Sequence, residues 1–584
     1  MRISNTSVEP TYRPSLPVWV QLVAALALAA VSAGCDGDNG ARGIPGERGS
    51  PGVDGIPGND GTPGTNGADG TNGTDGEDGT SVYIDQSLSP MEKAFVAIGG
   101  QDALETMAGF TIQSSGVRSV TGEGFRPEED ALVVSSFDLT LSQDLSNDFL
   151  RLDYMRHVTF LGFDQMLEFS EIVRGNLGYI SGVESLFGAP SGNMLSDRWA
   201  ATRKQHRLLN PHLILRDIAA NPAIATESGV RLLDGSVHHL ITVDEGVHPI
   251  TLYVNAATGW IAKATTVEND HLLRDVDIEV LYYGWEPTDG KVLFPTEVYL
   301  ARDNQILHQE ARTSIVVNEG IEAAIFDFPP EANPTYDAAA AARGDASHQF
   351  HESFASFGIP LDGEQTFINP IQIAPGVFYL TGGSHNSLAV EQQNGIVMIE
   401  APLYEARSEA ILAWSASNFP GKPITHVIAT HHHDDHTGGL RAFVAAGAEV
   451  VIREESEDFF KDIFRAKSSI LPDALAENPV DATIHTVAYD TTFAIQDTAR
   501  PVIAYPVETG HAVDMLMIYL PTQQIVFQSD LFNPGLGLIP PPFLPNSMDL
   551  HRSITETHEL TVSLILGGHG TTSTFAEFET ALGL

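Results

Sequence analysis

Four histidines and two aspartates occupy six consecutive positions, 431–436, in the second half of the chain. The apolar, β-branched run 424–429 precedes them, and Gly438 and Gly439 follow. Such a run predicts a buried strand that delivers metal ligands to a loop at its end. Imidazole and carboxylate groups together suit zinc first, with iron and manganese behind it. The spacing His-x-His-x-Asp-His therefore favours a metal site over a solvated polar turn.

The elements that would position this motif alternate as short strands and helices from about residue 350 onward. Strand-like apolar runs lie at 376–380, 395–400 and 448–452, and helix-like runs lie at 405–418 and 440–446. Three more candidate ligands stand beside strand-like runs nearer the C-terminus: His511 precedes 515–520, Asp530 follows 525–529, and His569 follows 563–566. A strand end is a rigid place to hold a ligand, so these residues extend the predicted site.

In this order and context, the candidate ligands resemble those of the metallo-β-lactamase-fold hydrolase superfamily, over roughly residues 365–584. The resemblance implies an α/β fold, an αβ/βα sandwich whose metal site lies at one edge of two packed sheets. The implied ligands are His431, His433 and His511 for a first metal, Asp435, His436 and His569 for a second, and Asp530 as the bridge between them.

This resemblance implies two Zn²⁺ ions, with iron or manganese as alternatives. Two such cations about 3.5–4 Å apart lower the pKa of a shared water toward neutrality and so supply hydroxide. Asp435 would be the catalytic residue that orients this nucleophile while it ligates the second metal. His385 and Asn386 lie on a loop that faces the metals in the resembled fold, so they are candidate substrate contacts. Strand alternation should turn His432 away from the metals.

The N-terminus has the features of an export signal. Arg2 and Arg13 precede the apolar run 18–31, which at roughly 14 residues is short for a membrane span and suits a secretory signal. The run leads into Ser32-Ala33-Gly34-Cys35, which resembles a bacterial lipobox. Residues 1–35 are therefore predicted to be a lipoprotein signal peptide, with lipid on Cys35 anchoring an exported protein that faces the periplasm or the cell surface. The alternative is a plain signal peptide with an incidental cysteine.

Cys35 is also the one cysteine of the chain. It cannot form an intramolecular disulfide, and it leaves the C-terminal region without a thiolate nucleophile or a cysteine metal ligand.

Glycine recurs at every third position from Gly37 to Gly79. Only glycine fits the crowded axis of a collagen triple helix, so residues 36–80 resemble a collagen-like segment and imply a homotrimer. Proline stops after Pro63, and acidic residues gather beyond it. A disordered spacer is therefore the alternative, and it would leave a monomer.

Residues 81–345 are predicted to form a β-rich domain whose role the sequence does not reveal. Short apolar runs separated by turn signals predict an antiparallel meander, and their order over 253–300 resembles the half-barrel of periplasmic lipoprotein-carrier domains. A helix over 89–107 should be interrupted at Gly99 and Gly100. The alanine-rich run 338–342 is predicted to be a linker to the catalytic domain, residues 346–584.

The chain carries 76 acidic and 31 basic residues, a formal net charge of −45. Such a surface repels phosphate backbones, which argues against nucleic acid as a partner. The sequence predicts an exported, lipid-anchored dinuclear zinc hydrolase that uses a metal-bound hydroxide on a small ester, thioester, lactone or lactam. The alternatives are an iron-dependent redox enzyme of the same fold, either a persulfide dioxygenase or a diiron protein, and a non-enzymatic surface stalk protein.

Overall fold

The computed structural model describes residues 84–584, except 188–190, 245–247, 289–290, 320, 362, 365, 536–538 and 540–542. The predicted signal peptide (1–35) and collagen-like segment (36–80) lie outside the described residues. Residues 84–584 form one compact unit. Within its described part, we find no helix that is long and apolar enough to span a membrane.

Thirteen strands form one sheet in the first half of this unit. They are β1 (Gly109–Val120), β2 (Leu132–Asp144), β3 (Phe149–Val158), β4 (Gln165–Arg174), β5 (Leu177–Gly182), β6 (Gly192–Met194), β7 (Ala225–Leu233), β8 (Ser236–Val243), β9 (Ile250–Asn255), β10 (Ile261–Asp270), β11 (Arg274–Pro287), β12 (Leu293–Arg302) and β13 (Gln305–Val317). Their spatial order is β6-β5-β4-β3-β2-β1-β13-β12-β11-β10-β9-β8-β7. Every neighbouring pair is antiparallel, which confirms the predicted meander, and the β1–β13 pair joins its two halves. The likeness to a half-barrel stays a prediction.

Helices cover the apolar face of this large sheet. Along β11, Val276, Ile278, Val280 and Tyr282 are buried and alternate with more exposed neighbours, as the two-residue period of a strand dictates. They share one core with residues of α1 (Pro90–Ala97), α2 (Gln101–Glu105), α3 (Ser196–Leu209) and α4 (Pro211–Ala220). The predicted break between α1 and α2 is confirmed, because Gly99 and Gly100 have φ values of 109° and 103°.

The run 338–342 was predicted to be a linker, and that prediction was wrong. It begins α5 (Ala338–Ala346), which α6 (His348–Ser356) follows. Alanine is the strongest helix former, and the Asp337 side chain caps the first turn. Both helices pack on the large sheet's side of the molecule; His348 Nδ1, for example, lies 2.5 Å from the buried Glu268 Oε1 on β10. The boundary predicted at 345–346 thus falls within the last turn of α5.

Two further sheets form the second half of the unit. The seven-stranded sheet contains, in spatial order, β14 (Asn369–Ala374), β15 (Val377–Thr381), β16 (Ser387–Glu391), β17 (Ile396–Ile399), β18 (Ile424–Ile428), β19 (Glu449–Arg453) and β20 (Ile484–Val487). The six-stranded sheet contains β21 (Phe493–Ile495), β22 (Val502–Pro506), β23 (Leu516–Leu520), β24 (Ile525–Gln528), β25 (Leu564–Gly567) and β26 (Thr572–Thr574).

The helices of this half are α7 (Glu405–Asn418), α8 (Asp434–Thr437), α9 (Leu440–Ala445), α10 (Glu457–Arg465), α11 (Ala474–Glu477), α12 (Leu544–Arg552) and α13 (Phe575–Leu582). Short 3-10 turns at Phe160–Gly162, Pro222–Ile224, Ala323–Phe326 and Glu454–Ser456, and a π-helical turn at Ser553–Thr557, complete the described elements.

These two sheets pack face to face with helices outside them. Val397 of one sheet and Phe527 of the other belong to the same core between the sheets. The outer face of the seven-stranded sheet buries Phe443 of α9, and that of the six-stranded sheet buries Phe578 of α13. The order of layers is helix, sheet, sheet, helix, which confirms the expected αβ/βα sandwich.

Candidate metal centre

The seven predicted ligands converge at one edge of the sandwich, where strands of both sheets end. The segment after β18 carries His431 and His433, and the short helix α8 carries Asp435 and His436. The other three belong to the six-stranded sheet: His511 precedes β23, Asp530 follows β24, and His569 follows β25. Rigid elements of both sheets therefore position the ligands.

Asp530 lies at the centre of this cluster. Its Oδ2 atom is 3.4 Å from His431 Nε2, 3.2 Å from His511 Nε2 and 3.0 Å from His436 Nε2. Its Oδ1 atom is 3.1 Å from His569 Nε2. One carboxylate thus contacts ligands of both implied metal positions, as a bridging carboxylate must.

Two groups of four side chains could each hold a metal ion, because the ligand atoms of each group lie within 4.8 Å of one another. The first donor group contains His431, His433, His511 and Asp530; the second contains His385, Asp435, His436 and His569. Each group unites the three ligands predicted for one metal position. The first adds the predicted bridge, and the second adds His385.

The chemistry of these donors fits two divalent metal ions. Imidazole nitrogens and carboxylate oxygens are among the ligands that zinc takes in proteins. His433 Nδ1 is buried and has no hydrogen-bond partner among the described residues. Since buried polar atoms are seldom left unpaired, a cation beside this nitrogen would satisfy it.

Hydrogen bonds on the far side of the rings hold two of the imidazoles in place. His436 Nδ1 lies 2.5 Å from Glu400 Oε2, and His569 Nδ1 lies 3.0 Å from Ser384 O. Such partners fix the tautomer of a ligating histidine and raise its basicity. In both residues Nε2 is consequently the nitrogen that faces the cluster.

The protonation states of the histidines agree with metal binding. Burial lowers the pKa of His431 to about 3 and lowers the pKa of His433 well below its usual value, so both rings are neutral. Burial opposes charge on His436 as well, but Asp435 and Asp530 raise its pKa well above the usual value. The two carboxylates thus favour a positive charge at His436, and a cation can take the place of that proton.

His385 and Asn386, the predicted substrate contacts, lie in the interior and are each 3% exposed. His385 Nε2 is 2.9 Å from Asp435 Oδ2, which places the ring in the second donor group. Asn386 Nδ2 donates to Gly567 O and Gly570 O, each at 3.2 Å, on either side of His569. Their contact with substrate stays a prediction.

Three carboxylates beside the cluster were not predicted from the sequence. Glu400 follows β17 directly, so the same strand-end reasoning could have found it. Asp514 lies 2.7 Å (Oδ1) from Nδ1 of His432, which turns away from the cluster as strand alternation predicted. Glu123 lies in the β1–β2 loop (residues 121–131) of the large sheet, and no sequence signal connects it with the motif. Burial, followed by the charges of Asp435 and neighbouring carboxylates, raises the pKa of Glu123 well above its usual value.

Comparisons with known proteins agree with this geometry. Residues 380–569 match the family model described as Metallo-beta-lactamase superfamily, and residues 31–82 match the model described as Collagen triple helix repeat (20 copies). A Metallo-beta-lactamase type 2 of Bacteroides fragilis is 25% identical over 142 residues, which make up 24% of this chain and 50% of that protein. The chain thus spans about half the length of this curated relative.

Among solved structures, a metallo-beta-lactamase from Pontibacter korlensis matches part of this chain. It is 22% identical, with a TM-score of 0.29 and coverage of 37% of this chain and 98% of that one. Another, from Hirschia baltica, is 18% identical, with a TM-score of 0.28 and coverage of 37% and 96%. From the family matches and the ligand pattern, the C-terminal part of the chain is a metallo-beta-lactamase superfamily domain, and the N-terminal part carries a collagen triple helix repeat.

Proposed function

We propose that the C-terminal domain is a dinuclear zinc hydrolase that acts on a small ester, thioester, lactone or lactam. The observation that carries this proposal is the pair of four-residue donor groups that meet at Asp530. Each group would hold one Zn²⁺ ion, with iron or manganese as alternatives. The family match supports a metal-dependent hydrolase.

When bound, two such cations supply a hydroxide nucleophile near neutral pH and polarise the carbonyl of the substrate. Asp530 would direct one carboxylate oxygen toward each donor group. Asp435 has its Oδ2 atom fixed by His385 Nε2 at 2.9 Å, while its buried Oδ1 atom has no hydrogen-bond partner in the described part of the chain. That free oxygen can accept a hydrogen bond from the attacking water and orient it.

Metal content and a substrate panel test the proposal together. The purified protein should contain two zinc ions per chain by mass spectrometry and should hydrolyse a chromogenic ester, thioester, lactone or lactam. Alanine at Asp435 or at His511 should remove activity and lower the metal content. His239→Ala, which removes an imidazole of β8 outside both donor groups, should change neither. Unchanged hydrolysis and metal content in the Asp435 and His511 variants would contradict the proposal, and iron with oxygen consumption would favour the redox alternative.

We further propose that the protein is exported, anchored through lipid on Cys35 and assembled as a homotrimer through residues 36–80. The lipobox-like sequence supports the anchor, and the match to the collagen repeat supports the trimer. Cys35→Ser should release the protein from the membrane fraction. Deletion of residues 36–80 should convert a trimer to a monomer in light scattering, and a monomer both with and without this segment would refute the assembly.

A further inference from the structure

The β1–β2 loop of the large sheet reaches the metal centre of the sandwich. Gly124 O lies 2.9 Å from His433 Nε2 and accepts its hydrogen bond. Phe125 O accepts a second hydrogen bond, from Val513 N at 2.8 Å, in the segment just after His511. The loop therefore contacts the segments that carry two ligands of the first donor group.

Strands β12 and β13 hold the β1–β2 loop in this position. Arg302, at the end of β12, donates to Thr121 Oγ1. At the other end of the loop, Ala131 N donates to Gln305 Oε1 at 2.5 Å, and Gln305 Nε2 donates to Glu129 O at 3.3 Å. The loop is thus fixed by the large sheet at both ends, and its approach to the metal centre is built into the fold.

Glu123 is the residue of this loop that faces the first donor group. Its Oε2 atom lies 3.7 Å from His433 Nδ1, and its side chain is 11% exposed. Ligand atoms of Glu123, His433 and Asp435 all lie within 4.8 Å of one another. Glu123 Oε1 is buried and finds no hydrogen-bond partner within the described ranges. Glu123 therefore places an oxygen without a hydrogen-bond partner, Oε1, next to the predicted metal ligands, among the residues that the structure describes.

His433 shows which atoms would share a metal with Glu123. Since Gly124 O occupies Nε2, Nδ1 is the nitrogen left for a metal, and Glu123 approaches that same nitrogen. Asp434, Asp435 and Asp530 already place carboxylates beside Glu123, so the ionised form of Glu123 is costly unless a cation compensates its charge. A metal ion bound to both Glu123 and His433 would supply that compensation.

We propose that Glu123 is a further ligand of the first metal position, supplied by the β-rich region. This inference rests on the proposed metal-binding function. The first position then has the four members of the first donor group, Asp530 included, and the Glu123 carboxylate in addition. The Gly124 carbonyl fixes the ring of His433. The large sheet thereby contributes a ligand to the metal centre.

The metal affinity and the cobalt spectrum of the full-length protein test this ligand. Glu123→Gln should weaken the binding of at least one of the two Zn²⁺ ions by about tenfold or more. Competition with a chelator measures this affinity. The substitution should also change the visible absorption of the Co²⁺-loaded protein, because the coordination of one ion changes. Glu128→Gln removes an exposed carboxylate from the same loop and should match wild type in both measurements.

A wild-type protein that binds two metal ions, with a Glu123→Gln variant of equal affinity and identical cobalt spectrum, would overturn the inference and leave the proposed function intact. A wild-type protein that binds no metal would overturn both. A crystal structure of the zinc-loaded wild type decides the matter even if the variant does not fold. A Glu123 oxygen about 2.0–2.2 Å from zinc supports the inference, and a carboxylate outside the coordination sphere refutes it.

Discussion

Replacement of Glu400 by glutamine would test whether the buried carboxylate behind His436 sets the metal affinity. Glu400 is 0% exposed, and its Oε2 atom lies 2.5 Å from His436 Nδ1. Its Oε1 atom accepts hydrogen bonds from Thr430 N at 3.2 Å and from Thr430 Oγ1 at 2.6 Å. Glutamine has nearly the same shape but offers one oxygen and one amide nitrogen. It can accept from His436 or from the Thr430 amide, but not from both.

The contacts of Glu400 determine which general magnitudes apply to this substitution. An unsatisfied buried hydrogen-bonding group costs about 1–3 kcal/mol. Substitution of a residue that holds a ligating histidine weakens metal binding by about 10–100-fold, which corresponds to roughly 1.4–2.7 kcal/mol. The two ranges overlap, so we expect Glu400→Gln to weaken zinc binding by about 10–100-fold.

Competition with a chromophoric chelator measures this affinity for Zn²⁺. Glu391→Gln is the matched control, because Glu391 ends the neighbouring strand β16 and pairs with Lys422 at 2.7 Å, outside both donor groups. It should bind zinc as wild type does. If Glu400→Gln bound zinc with wild-type affinity, and its apoprotein unfolded at the wild-type temperature, the reasoning about His436 would be refuted.

Three other substitutions probe the surrounding fold. Burial opposes the charge of Glu268, but His348 and a nearby lysine hold its pKa at about 2, below the ordinary value of 4.5. The ionised Glu268 therefore contributes on the order of 3 kcal/mol to the free energy of unfolding above about pH 4.5, and this contribution is lost as the pH falls toward 2. The difference in urea stability between wild type and Glu268→Gln should shrink over that pH range. Arg274→Met removes a buried guanidinium whose Nη2 donates to Leu471 O at 2.7 Å, and we expect a loss of about 2 kcal/mol in urea unfolding. Gly122→Ala places a Cβ 3.2 Å from Asp434 Oδ2 at a φ of +85° and should cost about 1 kcal/mol, seen as a lower thermal midpoint in circular dichroism.

Each of these substitutions has a result that would count against it. A gap between wild type and Glu268→Gln that stays constant with pH contradicts the first. Wild-type urea stability of Arg274→Met contradicts the second, and an unchanged thermal midpoint of Gly122→Ala contradicts the third. Glu286→Gln, at an exposed carboxylate of β11, is the control for all three and should behave as wild type.

The sequence predicted the ligand cluster because its signals are local, and the family resemblance carried by those ligands implied the sandwich. The run 424–429 is apolar and ends at the motif, so strand and ligands could be recognised in one stretch. Asp530 and His569 could be placed by the same rule, since each follows its own apolar strand. The helix over 405–418 is confirmed with the bounds that its apolar spacing predicted.

What the sequence could not predict depends on contacts between distant segments. His433 and Gly124 are separated by 309 positions along the chain, and no pattern in either segment indicates their hydrogen bond. The β1–β13 pairing that joins the two halves of the large sheet likewise brings Arg118 next to His308. The error at 338–342 had a different cause: an alanine-rich run was interpreted as a linker, although alanine favours helix and Asp337 supplies the cap.

The candidate metal ligands come from both sheets of the sandwich. Those of the His-x-His-x-Asp-His motif follow β18, whereas Asp530 and His569 follow strands of the other sheet. Cations held there would act as a cross-link between the two halves, because unfolding separates the ligands and releases the ions. Binding free energy would then add to folding free energy, by about 2.7 kcal/mol per site at a hundredfold excess of metal over its Kd. Scarcity of metal would therefore make the domain easier for proteases to open, so that metal supply would govern the lifetime of the protein as well as its activity.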